Sequence, residues 1–84
     1  MPNRKKIKVI YRKLGKEQAH GIADTENRSI EIDERLRGKK FIEILIHETM
    51  HIQNPDWSET MVLEKSKEMA NLLWQQDIRW VDTK

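Results

Sequence analysis

The stretch from Phe41 to Ile52, FIEILIHETMHI, constrains this chain more than any other. Phe41, Ile42, Ile44, Leu45, Ile46, Met50 and Ile52 are apolar, and at about 100° per residue they surround most of a helix circumference. The spacing predicts a helix over 39–53 that is buried on nearly all sides, so the remaining elements must wrap it. Yet its inner turns carry three polar side chains, His47, Glu48 and His51. Buried polar groups without partners are costly, and three together on one apolar helix call for a shared partner such as a metal ion.

The length narrows what can do the wrapping. Eighty-four residues make one domain, 1–84, too small for a doubly wound sheet or a closed barrel. There is no cysteine, so disulfides are excluded, and any metal site must be built from His and carboxylate. No apolar run approaches the roughly 20 residues of a membrane span, and the basic start of the chain lacks the apolar region of a secretory signal. The expectation is a soluble, cytoplasmic protein without a membrane partner.

Around the central helix the pattern predicts an α+β fold: a small antiparallel sheet of about three strands, the motif helix and a second, C-terminal helix. Ile7, Val9 and Tyr11 alternate with Lys8, Ile10 and Arg12, which suggests a first strand over about 6–14 ended by Gly15. His20 to Asp24 and Arg28 to Asp33 read as a hairpin, 20–33, turned by Thr25-Glu26-Asn27. Asn54-Pro55 stops the motif helix, because the residue before a proline is pushed out of the helical region. Ser58 then caps a helix over 59–76, with Trp57 and Val62 at the spacing of a hydrophobic staple. Val62, Leu63, Ser66, Met69, Ala70, Leu73 and Trp74 share one arc of that helix. Trp57, Trp74 and Trp80 read as core and staple aromatics, and the tail from Ile78 to Val81 as a further strand or a segment packed back on the domain.

Charge is divided unevenly. Residues 1–40 hold 12 basic and 6 acidic side chains and residues 41–84 hold 4 and 8, so +6 and −4 combine to the net +2. The basic N-terminal region, 1–16, carries Arg4, Lys5, Lys6, Lys8, Arg12, Lys13 and Lys16 with no acid. Such an arm suits phosphate contacts with nucleic acid or another polyanion. The simpler expectation is a strand edge kept from pairing with other chains by its lysines.

His47-Glu48-Thr49-Met50-His51 is an H-E-x-x-H arrangement. Residues four apart project from one helix face, so both imidazoles can reach one Zn²⁺, and Glu48, turned by about 100°, can reach a water there. Catalytic zinc usually takes a third protein ligand and leaves a fourth position open. With no cysteine, the candidates are Glu59, then Asp56, then His20. Glu59 stands closest to the centre of the apolar arc of the second helix, eight residues after His51, although acids are favoured in any first helical turn. Tyr11 and His20 are candidates to donate a hydrogen bond to a tetrahedral oxyanion. Two imidazoles and a carboxylate favour one zinc ion, and Mn, Co or Ni suit the same donors.

These segments resemble a known group. A hairpin leading into an apolar helix with H-E-x-x-H, followed by a helix with a glutamate, resembles the gluzincin zinc metallopeptidases. "GIADTENRSIEIDE" with "FIEILIHETMHIQNPDWSE" is similar to the minimal metallopeptidase domain of the ImmA/IrrE type and to short phage-encoded H-E-x-x-H proteins. The likeness covers about residues 20–75, and only His47-Glu48-x-x-His51 with Glu59 is specific. It implies that His47, His51 and Glu59 bind zinc, that Glu48 is the general base in peptide hydrolysis, and, for a phage protein, that the host cytoplasm is the compartment. The partner would then be a peptide or protein substrate. The alternative is a zinc-stabilised module without catalysis that binds a protein or polyanion.

Overall fold

The computed structural model describes residues 6–15 and 19–79. Three strands come first, β1 (Lys8–Arg12), β2 (Gly21–Asp24) and β3 (Ser29–Asp33), then two helices, α1 (Gly38–Gln53) and α2 (Glu59–Gln75). The fold is α+β, with three strands and two helices as expected. The sheet, however, is mixed rather than antiparallel: its order is β1-β3-β2, with β1 parallel to β3 and β2 antiparallel to it. The hairpin keeps β2 and β3 adjacent, so β1 takes the other edge of β3. Two contacts pin β1 there. Arg12 Nη2 meets Glu31 Oε1 at 2.8 Å, and the Leu14 amide donates to Asp33 Oδ2 at 3.4 Å.

The hairpin turn is one residue longer than the sequence suggests, because Asp24 pairs with Ser29 across a four-residue loop. Asp24 accepts hydrogen bonds from the amide and side chain of Asn27, and Arg28 takes a left-handed conformation (φ 50) to close the turn. Registered neighbours share a sheet face, so Val9 and Tyr11, Ile30 and Ile32, and Ala23 and Gly21 all look the same way. That face meets α1. Ile30 and Ile32 are fully buried, and they join Phe41, Ile42, Ile52 and Ala70 in the core.

α1 lies between the sheet and α2, and this position explains its apolar circumference. Every residue from Phe41 to Ile52 is buried or half-buried. Gly38, at φ +66, allows the chain to enter the helix from the β3 connection. At the other end the Asn54 amide still bonds the Met50 carbonyl, and the Trp57 amide bonds the Asn54 carbonyl to form the turn into α2. Ser58 caps α2 as expected, its hydroxyl accepting from the Met61 amide at 3.1 Å.

α2 buries a narrower strip than its pattern suggests. Val62, Ser66 and Ala70 are buried and Leu73 and Trp74 half-buried, whereas Leu63 and Met69, on the arc's margins, are exposed. Trp57 is half-buried, with the Lys65 ammonium 5.5 Å from its ring. Ile78 and Arg79 form no strand; the Arg79 guanidinium lies over the Trp74 ring and donates to the Trp74 carbonyl. Trp80 and Val81, and the basic residues Arg4, Lys5 and Lys16, fall outside the described residues. Lys8 is exposed on β1, an edge strand, as expected of a lysine-guarded edge. No helix among the described residues is long and apolar enough to cross a membrane.

Candidate metal centre

The C-terminal half of α1 and the first turn of α2 bring three donor side chains together. His47 and His51 sit one turn apart with ring centroids 4.9 Å apart in an edge arrangement. The turn at Asn54–Trp57 and the Ser58 cap set Glu59 opposite them. Glu59 Oε1 is 2.6 Å from His47 Nε2 and 3.3 Å from His51 Nε2, and the two Nε2 atoms are 3.2 Å apart. One donor atom from each of the three residues thus lies within 4.8 Å of the others.

These distances can be compared with those a zinc ion requires. Tetrahedral coordination with ligands at about 2.0–2.1 Å separates the ligand atoms by about 3.3 Å. Two of the three separations already match. The His47–Glu59 pair, at 2.6 Å, is at hydrogen-bond distance and would open by about 0.7 Å. Glu59 is free to make that adjustment because its side chain is 71% exposed, against 14% for His47 and 24% for His51. The donor set, two imidazole nitrogens and one carboxylate oxygen, suits zinc and leaves coordination open.

Glu59 lies on the core-facing arc of α2, as its position on the helical wheel indicates, but it is exposed. The first turn of α2 stands beside the end of α1, past the sheet, and the arc there faces the histidines and water rather than the core. What burial there is raises the Glu59 pKa, but the hydrogen bond from His47 and the nearby imidazoles outweigh it and hold the carboxyl below its ordinary value.

Glu48 is buried and turned toward the sheet. A Cβ added to Gly21 would lie 2.9 Å from Glu48 Cγ and 2.8 Å from Ile44 Cγ2, so β2 passes α1 at a distance only glycine permits. Burial raises the Glu48 pKa, partly offset by His47 and His51. Among the described residues no donor is within hydrogen-bond distance of its carboxylate. No fully buried side-chain polar atom lacks a partner there either, so the unbonded Glu48 carboxylate keeps access to water.

The other candidates stand apart. Asp56 is exposed in the turn and outside the donor group. His20 is exposed and borders a surface hollow with Leu14, Asp33 and Arg35. Tyr11 stacks on Phe41 at a centroid distance of 6.3 Å, on the strand farthest from β2 and six residues before His47 in α1. Neither is among the groups gathered around His47 and His51.

Sequence reasoning passed over two residues at this centre. Ser66, fully buried, places its hydroxyl 3.4 Å from His47 Nδ1 and donates to the Leu63 carbonyl at 3.1 Å. The available signal was a hydroxyl on an otherwise apolar arc, which reads equally well as a small core residue. Gly21 opens the hairpin strand, and glycine inside a strand is itself a sign of close backbone approach.

Comparison of the chain with protein-family models, with curated proteins and with solved structures returns no match.

Proposed function

We propose that this chain is a minimal zinc-dependent metallopeptidase core, with His47, His51 and Glu59 as the metal ligands and Glu48 as the general base. The observation that carries the reading is the convergence of three donor atoms within 4.8 Å beside a buried carboxylate that no group among the described residues bonds. A bound zinc ion would supply a Lewis acid for the scissile carbonyl and lower the pKa of a water toward about 7.

The protein's own share is proton handling and positioning. Glu48, raised in pKa by burial and open to water, is suited to take a proton from the attacking water and return it to the leaving amine. The peptide's course is suggested by β2, which pairs only with β3 among the described residues. The Asp33 amide bonds the His20 carbonyl, so alternation along the antiparallel ladder leaves Gly21 and Ala23 at positions whose amides and carbonyls point away from β3. An extended peptide added at this edge would run past Glu48 and be held by its backbone, with little demand on sequence.

Two measurements test the reading. Purified protein should contain one zinc per chain, and Glu48→Gln should keep the zinc while slowing peptide hydrolysis by at least about 100-fold. A chain without zinc, or a Glu48→Gln variant as active as the parent, overturns the proposal. Zinc without hydrolysis in either protein would instead favour a metal-stabilised binding module.

A further inference from the structure

The hydrogen bonds around His47 specify more than its presence at the centre. The Ser66 hydroxyl donates to the Leu63 carbonyl three residues back, so its oxygen faces His47 Nδ1 as an acceptor. An acceptor there supports the tautomer with its proton on Nδ1, in which the Nε2 lone pair faces Glu59 Oε1 and His51 Nε2, 2.6 and 3.2 Å away. Without a metal a proton on Nε2 bridges the 2.6 Å gap to Glu59, and an ion that replaces this proton needs the Nδ1–H tautomer.

We infer that Ser66 is the positioning residue of the metal centre: it holds His47 as the Nδ1–H tautomer and thereby presents Nε2 to the ion. The inference rests on the metal-binding reading above and adds to it a residue from the middle of α2. Serine suits the place for a second reason. Its hydroxyl can turn and donate to Nδ1 when no metal is bound and an Nε2 proton bridges to Glu59, so one side chain satisfies both states of the imidazole. Alanine satisfies neither. Outer partners of this kind typically change metal affinity by about 10- to 100-fold.

Ser66→Ala tests this, with two measurements on the full chain. Zinc affinity is read by competition with a chromophoric chelator, and thermal unfolding is read on the metal-free protein. In the metal-free chain alanine's better helix propensity offsets part of the hydrogen bond to Nδ1 that it removes, so metal-free Ser66→Ala should unfold close to the parent and lose far less in stability than in zinc affinity. Its zinc affinity should fall at least about 10-fold. Affinity equal to the parent's overturns the positioning role. Loss of affinity accompanied by an equal loss of metal-free stability also overturns it, since Ser66 would then serve packing alone. A parent chain that takes up no zinc removes the metal reading and this inference together, whereas parent binding with unaltered variant binding removes only the latter.

Discussion

Two carboxylates in this molecule are almost equally hidden, and the protein treats them in opposite ways. Asp33, 6% exposed at the end of β3, is saturated: it accepts from the Leu14 and Arg35 amides and from Nε and Nη2 of Arg35. Glu48, 9% exposed in α1, accepts from no donor among the described residues. The Arg35 hydrogen bonds hold the Asp33 carboxyl well below its usual range, whereas burial pushes that of Glu48 up. Burial alone therefore does not distinguish a structural acid from a reactive one. Hydrogen-bond satisfaction does, because a carboxylate surrounded by donors has little basicity left for a substrate.

The largest effect that contrast predicts is a divergence between activity and stability at Glu48. Beyond the loss of hydrolysis expected of Glu48→Gln, the metal-free variant should unfold at a higher temperature than the parent at neutral pH. The neutral amide avoids the burial of a charge that no donor among the described residues hydrogen-bonds. Calorimetry of both metal-free proteins checks this. A variant that unfolds earlier would mean that Glu48 supports the fold and would erase its difference from Asp33.

Next in size is Gly21→Ala. The added methyl would lie 2.8 Å from Ile44 Cγ2 and 2.9 Å from Glu48 Cγ, on the face of β2 that meets α1. Overpacking of this kind costs about 1–3 kcal/mol, visible as a lower denaturant midpoint. Because the clash is with Glu48 itself, hydrolysis should fall further than stability. Unchanged unfolding would show that β2 can move away from α1, and the unbonded state of Glu48 could not then be attributed to that close approach.

How much of this contrast the sequence reveals depends on the range of the interaction involved. Elements set by local chemistry were legible. The apolar run through Ile52 gives α1 and its all-round burial, Ser58 gives the start of α2, and the i, i+4 spacing puts His47 beside His51. The meeting of both with Glu59 follows from a short turn and a helical wheel. Features set by distant pairing were not legible. No pattern within Lys8–Arg12 says that it lies parallel to β3, because alternation gives a strand its faces but not its neighbour. Tyr11 reads as a candidate oxyanion donor until the sheet order puts it on the far edge. Asp33 is partly legible, since Arg35, two residues on, supplies three of its four hydrogen bonds, but nothing local announces the fourth, from the Leu14 amide nineteen residues earlier.

The smallest expected effect concerns the saturated acid, and its pH dependence carries the sign. The Asp33 carboxyl is depressed in the folded chain below its ordinary 3.8, and Arg35 stays charged throughout this range. The folded state therefore binds the Asp33 proton less readily than the unfolded state does. Its contribution to stability is fully present above about 3.8 and is lost as pH falls through the lower, folded value. Asp33→Asn should thus be less stable than the parent at neutral pH, with a gap that stays level down to about pH 4 and narrows below it. Denaturant midpoints of the two proteins across that acid limb measure the gap. For the metal-free Glu48→Gln pair the sign reverses: the raised carboxyl costs stability once ionised, so the parent should approach its variant as pH falls toward 4.5. If both gaps narrowed from the same side, the two buried carboxylates would be doing one job. Narrowing from opposite sides is what one acid tied into the fold and another left untied should produce.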